Sequence, residues 1–269
     1  MRRGKAWGGF GTVPAALVLL LLFGGALTQA LSTSFEDGTR AWGRVFASDE
    51  LFESLALTWR VALLSSSVAA ALGLALALVV RRVFATFGGR VARVLLQVPL
   101  SMPHLVVAIS TLMLLSQSGL LDRLLGGNAV PALTNDAFSV GIIFTYVWKE
   151  APFVAVLVLS ALRGETLKLE EVARNLGASP WLVFRDVTLP AALPALRIGA
   201  ALVFAYAFGA FEVPRLLGQT RPSMLGVWSF RLYTDVDLSR RPEAMVVALL
   251  IFASVGVAAL ALNVKGRAR

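Results

Sequence analysis

The sequence has 269 residues, of which 57% are hydrophobic and only 15% charged, with a formal net charge of +9. A soluble domain is about half apolar and about a quarter charged, so this chain has too little polar surface to cover a soluble globule. Its Lys and Arg residues fall in short clusters between long apolar runs, not on a basic stripe with interleaved aromatics. This argues against nucleic acid as a partner and for basic loops at a lipid surface. The chain has no cysteine, which excludes disulfides and thiolate chemistry, and its single histidine leaves little material for a metal site.

A helix needs ~20 predominantly apolar residues to cross the hydrocarbon core, and must satisfy its backbone polar groups within the segment. Six stretches meet that demand, from Phe10 to Leu31, Leu55 to Val80, Val91 to Leu115, Phe138 to Leu162, Ala191 to Pro214 and Ala244 to Val264. The expected fold is therefore all-α: a polytopic bundle of about six spans forming a single unit, with no domain boundary. The first stretch has a rival reading as a cleaved signal peptide, with Arg2, Arg3 and Lys5 as its charged region and Ala30 before a possible cut. Its apolar run is long for that, which favours a retained helix.

In the third stretch, Pro99 and Pro103 each remove a backbone donor and bend the helix. Either the bent helix lines a pathway or the bend is a packing kink. His104, which follows, has the same two readings: a hydrogen-bonded packing role, or a place on a pathway. The fourth stretch carries Lys149 and Glu150, which are adjacent and cannot share a helix face; the fifth ends on Glu212, three residues before Arg215. A charge at the bilayer centre costs at least about 2.5 kcal/mol unless paired or hydrated. Glu150 and Glu212 are thus candidates to line a translocation pathway, or else to pair locally, Glu212 with Arg215. An acidic lining would suit a cationic solute.

Cytoplasmic loops collect Lys and Arg. Placing the N-terminus inside puts fifteen of the 25 basic residues on the cytoplasmic side, among them Arg81, Arg82, Arg90, Arg93, Arg163, Lys168, Arg174, Arg185, Arg197, Lys265, Arg267 and Arg269. Both termini are then cytoplasmic. The last external loop breaks the trend with Arg215, Arg221, Arg231, Arg240 and Arg241, which suggests that it is partly folded onto the protein surface.

The most informative segment is the cytoplasmic loop of about residues 163–190. From Leu169 to Leu176, apolar Leu169, Val172, Ala173 and Leu176 recur at helical spacing, with Glu170, Glu171, Arg174 and Asn175 on the other face. Gly177 sits where a positive-φ residue ends a helix, and Ser179-Pro180 supplies an N-cap and first helical residue. A second amphipathic turn through Trp181, Leu182, Phe184 and Val187 leads to Leu189-Pro190, which opens the next span. By composition alone, this hairpin could merely lie among lipid headgroups.

The spacing is more specific. Glu171-Val172-Ala173, three residues, Gly177, nine residues, Val187, one residue and Leu189-Pro190 resembles the EAA loop of ABC importer permeases, with Val172 and Val187 as conservative departures. Trp148-Lys149-Glu150-Ala151-Pro152-Phe153, and Phe208 to Pro214 followed by Leu216-Leu217-Gly218, are similar to permeases of the polyamine, thiamine, ferric iron and sulfate group. The resemblance implies a type I importer permease in a bacterial inner membrane, whose loop docks into a cleft of a cytoplasmic ATPase. Glu171, Ala173, Gly177, Leu189 and Pro190 would be the coupling positions. It also implies a second permease chain, identical or homologous, and an extracytoplasmic substrate-binding protein.

No Gly-x-x-x-x-Gly-Lys-Ser/Thr occurs, so ATP and Mg are expected on the partner ATPase and no cofactor on this chain. Nor is there a zinc-protease or serine-hydrolase motif, and enzyme activity is not expected. The rival function is a secondary transporter driven by an ion gradient, which would predict an internal repeat with paired broken helices. No convincing repeat is visible between the two halves.

Overall fold

Long apolar stretches in this chain fold as helices because no other open structure satisfies the backbone within lipid. A computed structural model describes residues 13–83, 87–127, 131 and 133–264; every regular element in them is helical. Phe10 and the basic residues of both termini lie outside the described residues, as do the side chains of Arg90 and Arg93.

In chain order the helices are α1 (Val13–Ser34), α2 (Arg40–Phe46), α3 (Asp49–Val83), α4 (Phe87–Ser101), α5 (His104–Leu115), α6 (Leu120–Leu124) and α7 (Val140–Ala161). They continue with α8 (Glu165–Asn175), α9 (Pro180–Val183), a π-helical turn (Phe184–Thr188), α10 (Leu189–Gly209), α11 (Glu212–Leu217), α12 (Leu225–Tyr233), a 3-10 turn (Leu238–Arg240) and α13 (Arg241–Val264). Among the described residues six runs are long and apolar enough to cross a membrane.

Two spans depart from the expected bounds. The third is not one helix from Val91 to Leu115: it breaks between α4 and α5, where Pro103 has extended backbone (φ −61°, ψ 142°) and has no amide hydrogen to continue the ladder. By length and apolarity the crossing run here is His104–Leu124, displaced toward the C-terminus. The fifth does not run on to Pro214: α10 stops at Gly209, Ala210 is extended, and the chain restarts as α11.

The centre is built from α3, α7 and α10, with α5 and α11 packed on α7 and α12 on α13. Without a hydrophobic drive between helices in lipid, close approach depends on small residues. A Cβ on Gly73 of α3 would lie 2.6 Å from Val154 Cβ of α7, and one on Gly199 of α10 would lie 3.2 Å from Val154 Cγ2. The two glycines admit Val154 from both sides. Helix α1 lies against α13, with Phe23 and Phe252 5.5 Å apart, and buries little of its surface.

At one end of the bundle, α2, α11 and α12 form a folded cap that accounts for most of the arginines breaking the charge trend. Arg231 pairs with Glu50, Arg240 with Asp235 at 2.8 Å, and Arg241 lies over the Tyr233 ring. Arg215 does not pair with Glu212; its guanidinium stands 5.7 Å from the Phe211 centroid and 5.4 Å from that of Phe230. Cap and span are joined where the Leu225 amide donates to Thr58 Oγ1 at 2.9 Å. The opposite end carries the α8–α9 hairpin.

Candidate functional site

The hairpin is built by local sequence. After α7, Gly164 turns the chain at φ +66° and α8 begins. Its end is a full Schellman closure: Gly177, at φ +85°, donates to the Arg174 carbonyl at 2.9 Å, and Ala178 donates to the Ala173 carbonyl at 3.0 Å. A side chain on Gly177 would meet open space, so the glycine serves backbone conformation, not packing. Ser179 then caps α9, its Oγ accepting from the Leu182 amide at 3.3 Å, with Pro180 at the first helical position.

The amphipathic pattern of α8 is inverted relative to that of a helix resting on its own protein. Leu169 is 59% exposed, Val172 54% and Leu176 82%, and Trp181 of α9 is 65% exposed. The buried face instead holds Thr166 and Glu170. Of the expected coupling positions, Glu171, Gly177 and Pro190 are exposed and Ala173 and Leu189 half-buried. Glu171 makes no ion pair among the described residues.

Sequence reasoning missed Glu170, whose carboxylate is 1% exposed. It accepts from Arg81 Nη2 at 2.9 and 2.8 Å, from Thr188 Oγ1 at 2.6 Å and from Arg174 Nη2 at 3.1 Å. No signal in a single sequence set it apart from Glu171, since helical spacing places both glutamates on the polar face of α8.

Part way through the spans lies a second group. His104, first residue of α5, shares a 2.8 Å hydrogen bond with Glu150 of α7. Its ring stacks on Tyr206 of α10, centroids 4.2 Å apart, and Tyr206 meets Tyr146 edge-on at 6.1 Å. The break in the third span thus brings His104, next to Pro103, onto Glu150 and Tyr206, with Tyr146 beyond, while Glu212 begins α11 in the cap; the sequence did not single out these two tyrosines, although they are two of only three in the chain. Pro103, Tyr206 and Glu212 are exposed on the surface of the chain, and the Tyr146 hydroxyl is buried with no protein partner.

Lys149 stands apart from this group. It is buried on another face of α7 and its Nζ lies 3.5 Å from the Leu100 carbonyl, one of those freed where α4 ends. A cation at a helix C-terminus satisfies such carbonyls, so Lys149 supports the break.

Six apolar runs, a broken helix exposing polar groups within the bundle and a capped hairpin at one end define a multi-pass membrane transport protein. The chain belongs to the family described as binding-protein-dependent transport system inner membrane component, which matches residues 69–264. These are the inner-membrane permease subunits of ABC importers, and the family assignment does not favour an ion-driven secondary transporter. The chain is 26% identical over 252 residues to the putrescine transport system permease protein PotI of Escherichia coli, covering 93% of this chain and 84% of PotI. It is 29% identical over 244 residues to the E. coli inner membrane ABC transporter permease protein YnjC, covering 89% of this chain but 43% of YnjC, so it spans less than half of that relative. A probable molybdenum ABC transporter permease of Haloferax volcanii is 33% identical over 204 residues, 75% of this chain and 72% of the relative. In fold, the chain is similar to a component of a bacterial importer of the acidic polysaccharide alginate, with TM-score 0.81 at 20% identity over 98% of this chain and 96% of that one.

Proposed function

We propose that this chain forms part of the solute pathway of an ATP-driven importer and couples to a separate ATPase through the α8–α9 hairpin. The observation that carries the reading is the inverted face of α8. Exposed Leu169, Val172 and Leu176 need a cover, and an apolar helix face set in a partner's groove is a recurrent mode of recognition. Glu171 stands exposed beside them, a charge that an anionic headgroup layer would repel. Glu171, Ala173 and Gly177 then lie at the docking surface, and Leu189 and Pro190 connect it to the fifth span. ATP and Mg belong to the ATPase, and this chain performs no covalent chemistry.

The group around His104 supports a pathway between this chain and a second permease chain, identical or homologous. A half-buried carboxylate, Glu150, and an exposed phenol, Tyr206, at this depth are costly against lipid and are stabilised where they line a hydrated route. A carboxylate beside aromatic faces suits a cationic solute, as for the polyamine-type permeases, and opposes an anion such as sulfate; exposed Glu212, at the start of α11, would add a second acid toward the cap end of the route. An extracytoplasmic binding protein would deliver that solute. The hairpin end is cytoplasmic in this reading, as are both termini.

The test is a pull-down of tagged protein from detergent-solubilised native membranes, comparing wild type with Gly177→Asp and identifying the co-purified chains. An ATPase recovered with wild type and lost with the variant supports the coupling role and names the second permease. A chain that purifies alone from wild-type membranes overturns it.

A further inference from the structure

The carboxylate of Glu170 is a junction of three elements. Arg81 lies near the end of α3, Glu170 on α8, and Thr188 closes the π-helical turn immediately before α10. In sequence, Glu170 is 89 residues from Arg81 and 18 from Thr188. Arg174 adds an exposed contact of small weight, since its side chain is 58% solvent-accessible. The two strong donors are therefore Arg81 and Thr188, and both reach the acid where it is closed off from solvent.

Hydrogen bonds to a buried charge are directional, whereas apolar contacts allow a helix to slide. The rest of α8 supplies little apolar grip, because its leucines and Val172 face outward. The helix is thus held to the spans mainly through one carboxylate. On the other side of the junction, α3 is a 35-residue helix reaching the opposite cap, where Thr58 accepts from Leu225 and Glu50 pairs with Arg231. A displacement of α8 at Glu170 is delivered to a rod whose far end holds the cap.

We propose that Glu170 is a positioning residue for transport: with Arg81 and Thr188 it transmits hairpin movement to α3 and α10, while neighbouring Glu171 faces the partner. This rests on the reading of the hairpin as the ATPase dock. Docking and transmission then separate: one surface binds the ATPase and a different, internal carboxylate carries the motion.

The experiment uses the complex purified from native membranes with a reporter cysteine at Leu105, exposed just beyond the break, since the chain has no cysteine of its own. Maleimide labelling is compared between nucleotide-free and vanadate-trapped complexes, in the Leu105→Cys background, in Glu170→Gln and in the doubly neutral Glu170→Gln/Arg81→Gln. The double variant removes both charges, so it leaves no unpaired buried ion to prevent folding. The expected result is a several-fold nucleotide-dependent change in the background that collapses to unity in the double variant, while the ATPase still co-purifies and hydrolyses ATP. A preserved change overturns the proposal, and so does loss of the ATPase from the double variant, which would make the junction part of the dock. Absence of an ATPase from the background complex overturns instead the docking reading beneath it.

Discussion

Single residues in this chain act through two separable physical effects, and its glycines separate them. Gly73 is required by space, since a Cβ there meets Val154 Cβ at 2.6 Å and the Ala151 carbonyl at 2.9 Å. Gly177 is required by conformation alone, having open space around it at φ +85°. Gly73→Val should destabilise the bundle by about 1–3 kcal/mol, the usual range for overpacking, read as a lowered thermal midpoint in detergent. Gly177→Val should leave that midpoint nearly unchanged yet reduce ATPase recovery, because the left-handed conformation costs an ordinary residue about 1–2 kcal/mol and is confined to the hairpin. Gly177→Asn should retain more recovery than Gly177→Val, since Asn tolerates this conformation. Within the spans, Glu150→Gln keeps a hydrogen bond to His104 but removes a charge; it should lower uptake of a cationic solute without lowering complex yield.

At the level of elements, helical spacing identified the first helix of the hairpin but not which face it buries. The pattern of α8 predicts an apolar face and a charged one, and an apolar face ordinarily lies against the protein's own core. In the structure that face points away and Glu170 is inside, because Arg81 reaches it from the end of α3. Leu176→Glu, at a position 82% exposed, should therefore change stability by less than about 0.5 kcal/mol, as surface substitutions do, while ATPase co-purification falls. Val183→Glu, 5% exposed in the same hairpin, should lower the yield of folded protein. The contrast is measured by size-exclusion profile and pull-down on the same samples. The break in the third span was legible as Pro99 and Pro103, but not that the break falls at Pro103, nor that Lys149 supports the freed carbonyls.

Across the whole molecule, orientation is the property on which the transport reading depends. Asn175→Cys in the hairpin should react with a membrane-impermeant maleimide only after the membrane is opened, and Val236→Cys, 98% exposed in the opposite cap, should react in intact spheroplasts; the reverse pattern would invert the topology. By itself the sequence determined the class of fold, the number of spans and the family, because about 20 apolar residues per crossing and the spaced turn chemistry from Glu171 to Pro190 are local properties of the chain. It also located the hairpin's stop at Gly177 and its restart at Ser179-Pro180, where the backbone decides. Only the tertiary structure decided that His104 meets Glu150 and Tyr206, that Arg215 lies on aromatic rings and not beside Glu212, and that Glu170 is the inner carboxylate. Each of those pairings joins residues from different helices or chooses between adjacent ones, and periodicity places a side chain on a face without saying what that face will meet.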